Sequence, residues 1–189
     1  MYRTINKIMA ILVVIHLFLA ACVSIIPAAQ AEGITGRHHI ELLKDREYFE
    51  KLLGAIEGAQ KEIVMAFFLF KTNGYKSSYP DILLNHLVKA AERGVRIRVL
   101  LERGKRETSQ VDQNNRETAL RLRGSGISVS FDTPRRTTHT KVVVIDGRYT
   151  ILGSHNLTSS ALKYNHELSL FVDSRELATK TLTYINTLH

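Results

Sequence analysis

Residues 139–156 read His139-Thr140-Lys141-Val142-Val143-Val144-Ile145-Asp146-Gly147-Arg148-Tyr149-Thr150-Ile151-Leu152-Gly153-Ser154-His155-Asn156, and their reading decides the fold. Lys141–Ile145 and Tyr149–Leu152 have strand composition, and Asp146-Gly147 between them is a strong tight-turn signal. Histidine and lysine two apart on a strand project to the same side of it. The returning strand ends in Gly153-Ser154-His155-Asn156, which the hairpin carries back toward His139 and Lys141. The pattern occurs once.

Working outward, strands alternate with helices, which implies an α/β layered domain. Ile40–Leu43 reads as a short edge strand. Asp45 is the expected N-cap of a helix running to about Gln60, with Phe49, Leu52, Leu53 and Ile56 on its apolar face. Ile63–Phe70 is a nearly continuous apolar run, the mark of a strand buried on both faces. Residues 71–79 form a loop, and Pro80 suits the first turn of the next helix, which Gly94 closes. Val95–Leu101 alternates Arg96 and Arg98 with apolar residues and reads as half-buried. Residues 102–113 are polar and read as a mobile surface loop. A helix ends near Gly124, a strand covers Ile127–Phe131, and residues 133–138 form a basic loop. Leu168–Val172 is the last strand, and Arg175–Leu188 the last helix.

The first 31 residues read as a processing segment. Arg3 and Lys7 precede a mostly apolar run from Ile8 to Ile26, and Ala29-Gln30-Ala31 offers a cleavage site. Two rivals stand beside this signal peptide. Leu19-Ala20-Ala21-Cys22 resembles a lipidation box, and the apolar run is near the ~20 residues that span a bilayer. Each leads to an exported, periplasmic, secreted or envelope-associated protein, with membrane association through the N-terminus under the last two. Residues 32–39 are then a linker, containing His38 and His39, and residues 40–189 the folded domain. Cys22 is the single cysteine, so no internal disulfide and no thiolate metal site is expected. The chain of 189 residues carries a formal charge of +8. Its first 31 residues hold only Arg3 and Lys7 of the charged positions. A basic excess of this size favours polyanionic partners, nucleic acid or acidic lipid headgroups.

The chemistry follows from residue types. His139 is the candidate nucleophile or base, because neutral imidazole is available near pH 7. Lys141 supplies a fixed cation for the non-bridging oxygens of a phosphate. Ser154 and Asn156 can donate hydrogen bonds to the same oxygens, and Gly153 lets the backbone approach. Glu167, at the start of the last strand, is placed to accept from a ring nitrogen of His139 and fix its tautomer. Asp146 reads as a turn-stabilising residue, His155 as a loop or strand-end residue, and His166 as structural. Phe67, Phe68 and Phe70 read as core.

His139-x-Lys141-x4-Asp146-x6-Gly153-Ser154-x-Asn156 resembles the signature of the phospholipase D superfamily. Asn165-x-Glu167 is similar to that family's downstream Asn-x-Glu. Lys61-Glu62-Ile63 and Ala90-Ala91-Glu92-Arg93-Gly94-Val95 resemble its framework, so the likeness runs over about residues 40–188. A single motif in a chain of this length resembles the bacterial endonuclease branch. The resemblance implies a mixed β-sheet flanked by α-helices on both faces, and a homodimer whose motifs face each other across a two-fold axis. It also implies a phosphohistidine on one His139, proton transfer by the other, no metal or other cofactor, and 5′-phosphate products.

The expected substrate is nucleic acid, DNA ahead of RNA. Arg103, Lys105 and Arg106 after one strand, and Arg135 and Arg136 before His139, are candidate contacts to its backbone. His139, His155, His166 and Glu167 could be read as metal ligands instead, but no short metal-binding spacing accompanies them. Two rival functions remain: a lipid phosphodiesterase or phosphatidyltransferase, and a nucleic-acid-binding module without turnover.

Overall fold

The apolar run after Glu62 lacks strand alternation because both of its faces are covered. In the computed structural model, which describes residues 33–104, 109–133 and 136–188, this run forms β2 (Glu62–Phe67) near the middle of the sheet. The other strands are β1 (His39–Lys44), β3 (Arg96–Leu101), β4 (Ser128–Phe131), β5 (Lys141–Ile145), β6 (Tyr149–Gly153) and β7 (Leu168–Asp173). The helices among the described residues are α1 (Glu47–Gly58), α2 (Tyr79–Glu92), α3 (Gln110–Gly124), α4 (Ser159–Lys163) and α5 (Arg175–Ile185).

The strand order is β1-β7-β6-β5-β2-β3-β4. The unit β2-α2-β3-α3-β4 is parallel, and every pairing from β2 through β5, β6 and β7 to β1 is antiparallel. This is the expected mixed sheet. Its polarity matters for the site: β2, β3 and β6 end at the same edge where β5 and β7 begin.

Each face has its own core. Ile63, Met65 and Phe67 of β2 pack with Leu52 and Ile56 of α1, Leu83 and Leu87 of α2, Leu122 of α3 and Leu162 of α4. On the opposite face Val64, Ala66, Val142 and Val144 pack with Ala178 and Ile185 of α5. Helices therefore flank both faces. Because α5 is the only described helix in that second core, the outer strands keep apolar side chains uncovered there. Ile40, Leu42, Leu152, Leu168 and Leu170 are between 36% and 57% exposed, and Leu42, Leu170 and Leu152 lie in register across β1, β7 and β6.

Local chemistry explains the boundaries. Ser78, Ser109, Thr158 and Ser174 cap the last four helices, each accepting from the backbone N–H three residues on. Asp45 is not the N-cap of α1, contrary to the sequence reading. It adopts a left-handed backbone, φ 51°, and Arg46 precedes the helix. Its carboxylate is committed instead to the backbone N–H of Glu167 at 2.9 Å. The polar segment after β3 is also shorter than expected, since α3 begins at Gln110 and Glu102 is buried. The short helix α4 carried no sequence signal, being little more than one turn.

Asp146 has a larger role than turn formation. Asp146 and Gly147 take φ 54° and 59°, and Arg148 N–H closes the turn onto the Ile145 carbonyl at 3.0 Å. Its carboxylate also accepts the backbone N–H groups of Gln60, Lys61 and Glu62 at 2.7–3.0 Å. Burial alone would raise its pKa, but the N–H bonds from Glu62, Gln60 and Lys61 outweigh it and hold the carboxyl below the usual range. Asp146→Ala removes the acceptor for these donors and strains a left-handed position, so it is expected to cost about 2 kcal/mol or more. Asp146→Asn, which tolerates the same backbone, should lose less. Urea denaturation checks this, and an unchanged midpoint for Asp146→Ala would refute the clamp.

Candidate active site

The hairpin delivers His139 and Lys141 to the sheet edge where β2 ends. Lys141 is the residue opposite Phe67 in the β5–β2 register. Before it, the Thr140 carbonyl accepts from Phe68 N–H at 2.9 Å, so the His139 segment runs alongside the end of β2. His139 is exposed. Its ring lies 4.6 Å from that of Phe68, tilted by 56°. The Lys141 ammonium is 3.1 Å from His139 Nδ1 and donates to the His139 carbonyl at 2.8 Å. It sits 5.3 Å from the Phe68 ring centroid, within cation–π range.

Lys141 is only 9% exposed. Burial lowers its pKa, and the charge of Glu167 works against that shift. An ammonium donates and does not accept, so Nδ1 is the acceptor in this contact and a neutral ring carries its proton on Nε2.

The returning loop is held on β7. Gly153 is required because a Cβ there would run into Ser169 Oγ and the Leu168 carbonyl. Ser154 N–H donates to the Leu168 carbonyl at 3.0 Å. Ser154 Oγ accepts from Leu168 N–H at 3.1 Å and donates to the Glu167 carboxylate. Beyond it, Leu157 exchanges backbone bonds with residues 69 and 71. Asn156 Oδ1, between these anchors, is buried without a hydrogen-bond partner among the described residues.

Glu167 departs from the sequence reading. Its carboxylate is engaged by Ser154 and by Asn165 Nδ2, at 3.0 Å for the latter, and no bond joins it to His139 in this structure. It influences the pair through its charge on Lys141 instead. His166 is fully exposed and pairs with Asp45 at 3.5 Å. Arg103 and Arg136 are exposed, Arg136 on the wall of a cleft beside His139. Lys105, Arg106 and Arg135, like the N-terminal segment to Ala31, lie outside the described residues. Among the described residues no three His, Cys, Asp or Glu side chains gather into a group that could hold a metal ion.

Several residues at the site escaped the sequence reading. Phe68 is not core: β2 ends one residue before it, and its ring supports both His139 and Lys141. Only its place at the end of an apolar run could have signalled this. His155 is fully buried. Its ring stacks on Tyr48 at 4.1 Å, Nε2 donates to the Asp45 carbonyl at 2.9 Å, and Nδ1 accepts from Ser169 Oγ at 2.7 Å. A carbonyl only accepts, which assigns the proton to Nε2. Glu102, read as part of a mobile loop, accepts from Thr138 N–H at 2.6 Å and so anchors the segment entering His139. The signal for both is tertiary and absent from local spacing.

A family profile described as the cardiolipin synthase, phospholipase D-like domain matches residues 52–189. The chain belongs to this family, the phospholipase D superfamily. A protein named phospholipase D from Rickettsia prowazekii is 32% identical over 130 residues, 66% of this chain and 60% of that one. Cardiolipin synthase A from Escherichia coli O157:H7 is 28% identical over 159 residues, 81% of this chain and 30% of that one. The chain thus spans less than two thirds of the length of these relatives. Among solved structures, the phospholipase D family member Nuc from Salmonella typhimurium superposes with a TM-score of 0.66 at 23% identity, covering 80% of this chain and 94% of Nuc. That likeness shows the fold.

Burial lowers the pKa of His155, against the opposing effects of the Asp45 bond and the charges of Glu167 and Asp45. The folded protein therefore binds fewer protons there than the unfolded chain, and stability rises with pH. The contribution is complete above the ordinary value of 6.5 and is lost as pH falls from there toward the lowered folded value. Thermal melts from about pH 8 to about pH 5 should show the wild type losing Tm on the acid side, with His155→Gln starting lower and following a flatter curve. Equal slopes for the two proteins would contradict the assignment.

Proposed function

We propose that this chain is a metal-independent phosphodiesterase, an exported endonuclease that hydrolyses nucleic-acid phosphodiester bonds through a phosphohistidine on His139 and works as a homodimer. The observation that carries the reading is the His139–Lys141 pair: an exposed imidazole at a cleft, backed by a largely buried ammonium. Lys141 supplies positive charge for the non-bridging oxygens without a metal. Asn156 sits on the adjoining loop, where its amide can serve the same oxygens, whereas the Ser154 hydroxyl, expected from the sequence to do so too, is already donated to Glu167. The basic charge of the chain suits a polyanionic substrate.

In the proposed reaction, Nε2 of one His139 attacks phosphorus. The P–N bond forms as the P–O bond to the leaving group breaks, and the protonated His139 of a second copy gives its proton to that oxygen. The same imidazole then takes a proton from water. The water oxygen displaces the first histidine and restores both rings. In the resting geometry Lys141 donates to Nδ1, which leaves the proton on Nε2. Attack needs the proton on Nδ1, so the Lys141 contact must open as its ammonium turns to the bound phosphate.

A second copy has a surface to use. The exposed stripe of Leu42 and Leu170, in register across β1 and β7, lies on the same sheet and supports an isologous contact beside the site. The same stripe favours one rival, a lipid-directed phosphodiesterase, as do the names of the relatives. The N-terminal 31 residues are proposed to export the chain. Fractionation of expressing cells tests this, and a cytoplasmic product would overturn it.

The full chain is expected to cleave an end-labelled oligonucleotide in excess EDTA. His139→Ala and Lys141→Ala should each lower the rate by roughly a thousand-fold or more. Preferential hydrolysis of phospholipid vesicles would transfer the proposal to lipid, and binding without cleavage would leave a binding module. Leu170→Asp should convert a sedimenting dimer to a monomer and abolish turnover. A fully active monomer would sink the two-histidine scheme.

A further inference from the structure

Two clefts flank the His139–Thr140 segment, and one residue outside that segment lines both. The first, about 430 Å³, is the more polar of the two and is lined by Arg136, Thr137 and Thr187 beside His139. The second, about 480 Å³, is mainly apolar and includes Lys141, Val142, Leu152 and Gly153. Tyr184 lines each of them. It lies in the last turn of α5 and is 52% exposed. Its chain neighbour Ile185 is buried in the second core, with Leu182 packed against that core, so the turn that presents the ring is anchored.

A phosphodiester carries a substituent on each side of phosphorus. Both clefts adjoin His139, so each can receive one substituent of a phosphate bound there, and Tyr184 lines the two of them. Resting on the nucleic-acid reading above, we propose that Tyr184 is a stacking platform for the nucleobase next to the scissile phosphate, and that the substrate is therefore single-stranded. In a duplex each base has both faces covered by its neighbours. An unpaired base offers a free face to an aromatic side chain, irrespective of its identity. Arg136, exposed in the polar cleft, supplies charge for a neighbouring backbone phosphate. A half-exposed ring lining a cleft beside His139, with an arginine lining the same cleft, has the elements that single-strand binding combines.

The test compares two strands of equal length and charge, an oligothymidylate and the same strand with abasic residues throughout, using the full chain in both cases. The wild type should cleave the base-bearing strand with the lower KM. Tyr184→Ala should raise that KM by about ten-fold or more and leave the abasic strand unaffected, whereas Tyr184→Phe and Tyr184→Trp should retain wild-type values. A duplex of the same sequence should be cleaved more slowly than the single strand. An equal loss on both strands overturns the stacking role while leaving the nuclease reading intact. Loss of the dimer in Tyr184→Ala at unchanged Tm also overturns it and assigns the ring to subunit contact. A wild type that cleaves neither strand overturns the nucleic-acid reading and this inference with it.

Discussion

The carboxylate of Asp146 ties the turn of the β5–β6 hairpin to the entrance of β2, and the geometry of the site depends on that tie. Side chains alternate along a strand, so a slip of one residue would send Lys141 to the other face of the sheet. With Asp146 holding Gln60, Lys61 and Glu62 at one end, the register at the other end sets Lys141 opposite Phe67. Phe68 then falls beside His139. The aspartate is thus several residues from the chemistry and at the opposite end of the strand, yet it helps hold the register that sets which face the ammonium occupies.

Beneath the site lies a buried polar network that fixes the loops the strands leave behind. Asn115 of α3 donates to the Phe68 and Glu102 carbonyls and accepts from Phe70 N–H, all at 2.9 Å. Glu102 accepts from Thr138 N–H, and Thr138 donates its hydroxyl to Asp132. These bonds join the ends of β2, β3 and β4 to the segment that enters His139. Buried donors and acceptors of this kind are costly to leave unpaired, so the network holds a single arrangement. It gives the imidazole a rigid support although the ring itself is exposed.

The sequence disclosed the parts of this design that are local. The His139–Lys141 spacing, the Asp146-Gly147 turn and the unbroken apolar run of β2 each follow from strand geometry and are legible in the sequence. What was not legible depends on distant partners. Asp45 has the composition of a helix cap, but Glu167, far along the chain, competes for its carboxylate. His155 occupies the variable position of its motif, and only the fold shows that Tyr48, Asp45 and Ser169 enclose it. Glu167 was expected on His139 from chemical need, whereas Ser154 is nearer and takes its carboxylate. Tyr184 belongs to no motif and reaches the site only because α5 crosses the second face.

The competition at Lys141 has a mechanistic consequence. Its ammonium is removed from most of the solvent, which favours the neutral amine, and Glu167 offsets this through its charge rather than by contact. If Glu167 bonded the ammonium directly, the pair would be electrically satisfied and a phosphate would gain little there. Because Ser154 and Asn165 hold the carboxylate, the ammonium rests instead on a neutral ring nitrogen and a carbonyl, both weaker partners than an anion. An arriving phosphate can therefore displace these contacts. In the proposed reaction that same displacement frees Nδ1 to accept the ring proton, so substrate binding and activation of His139 become one event.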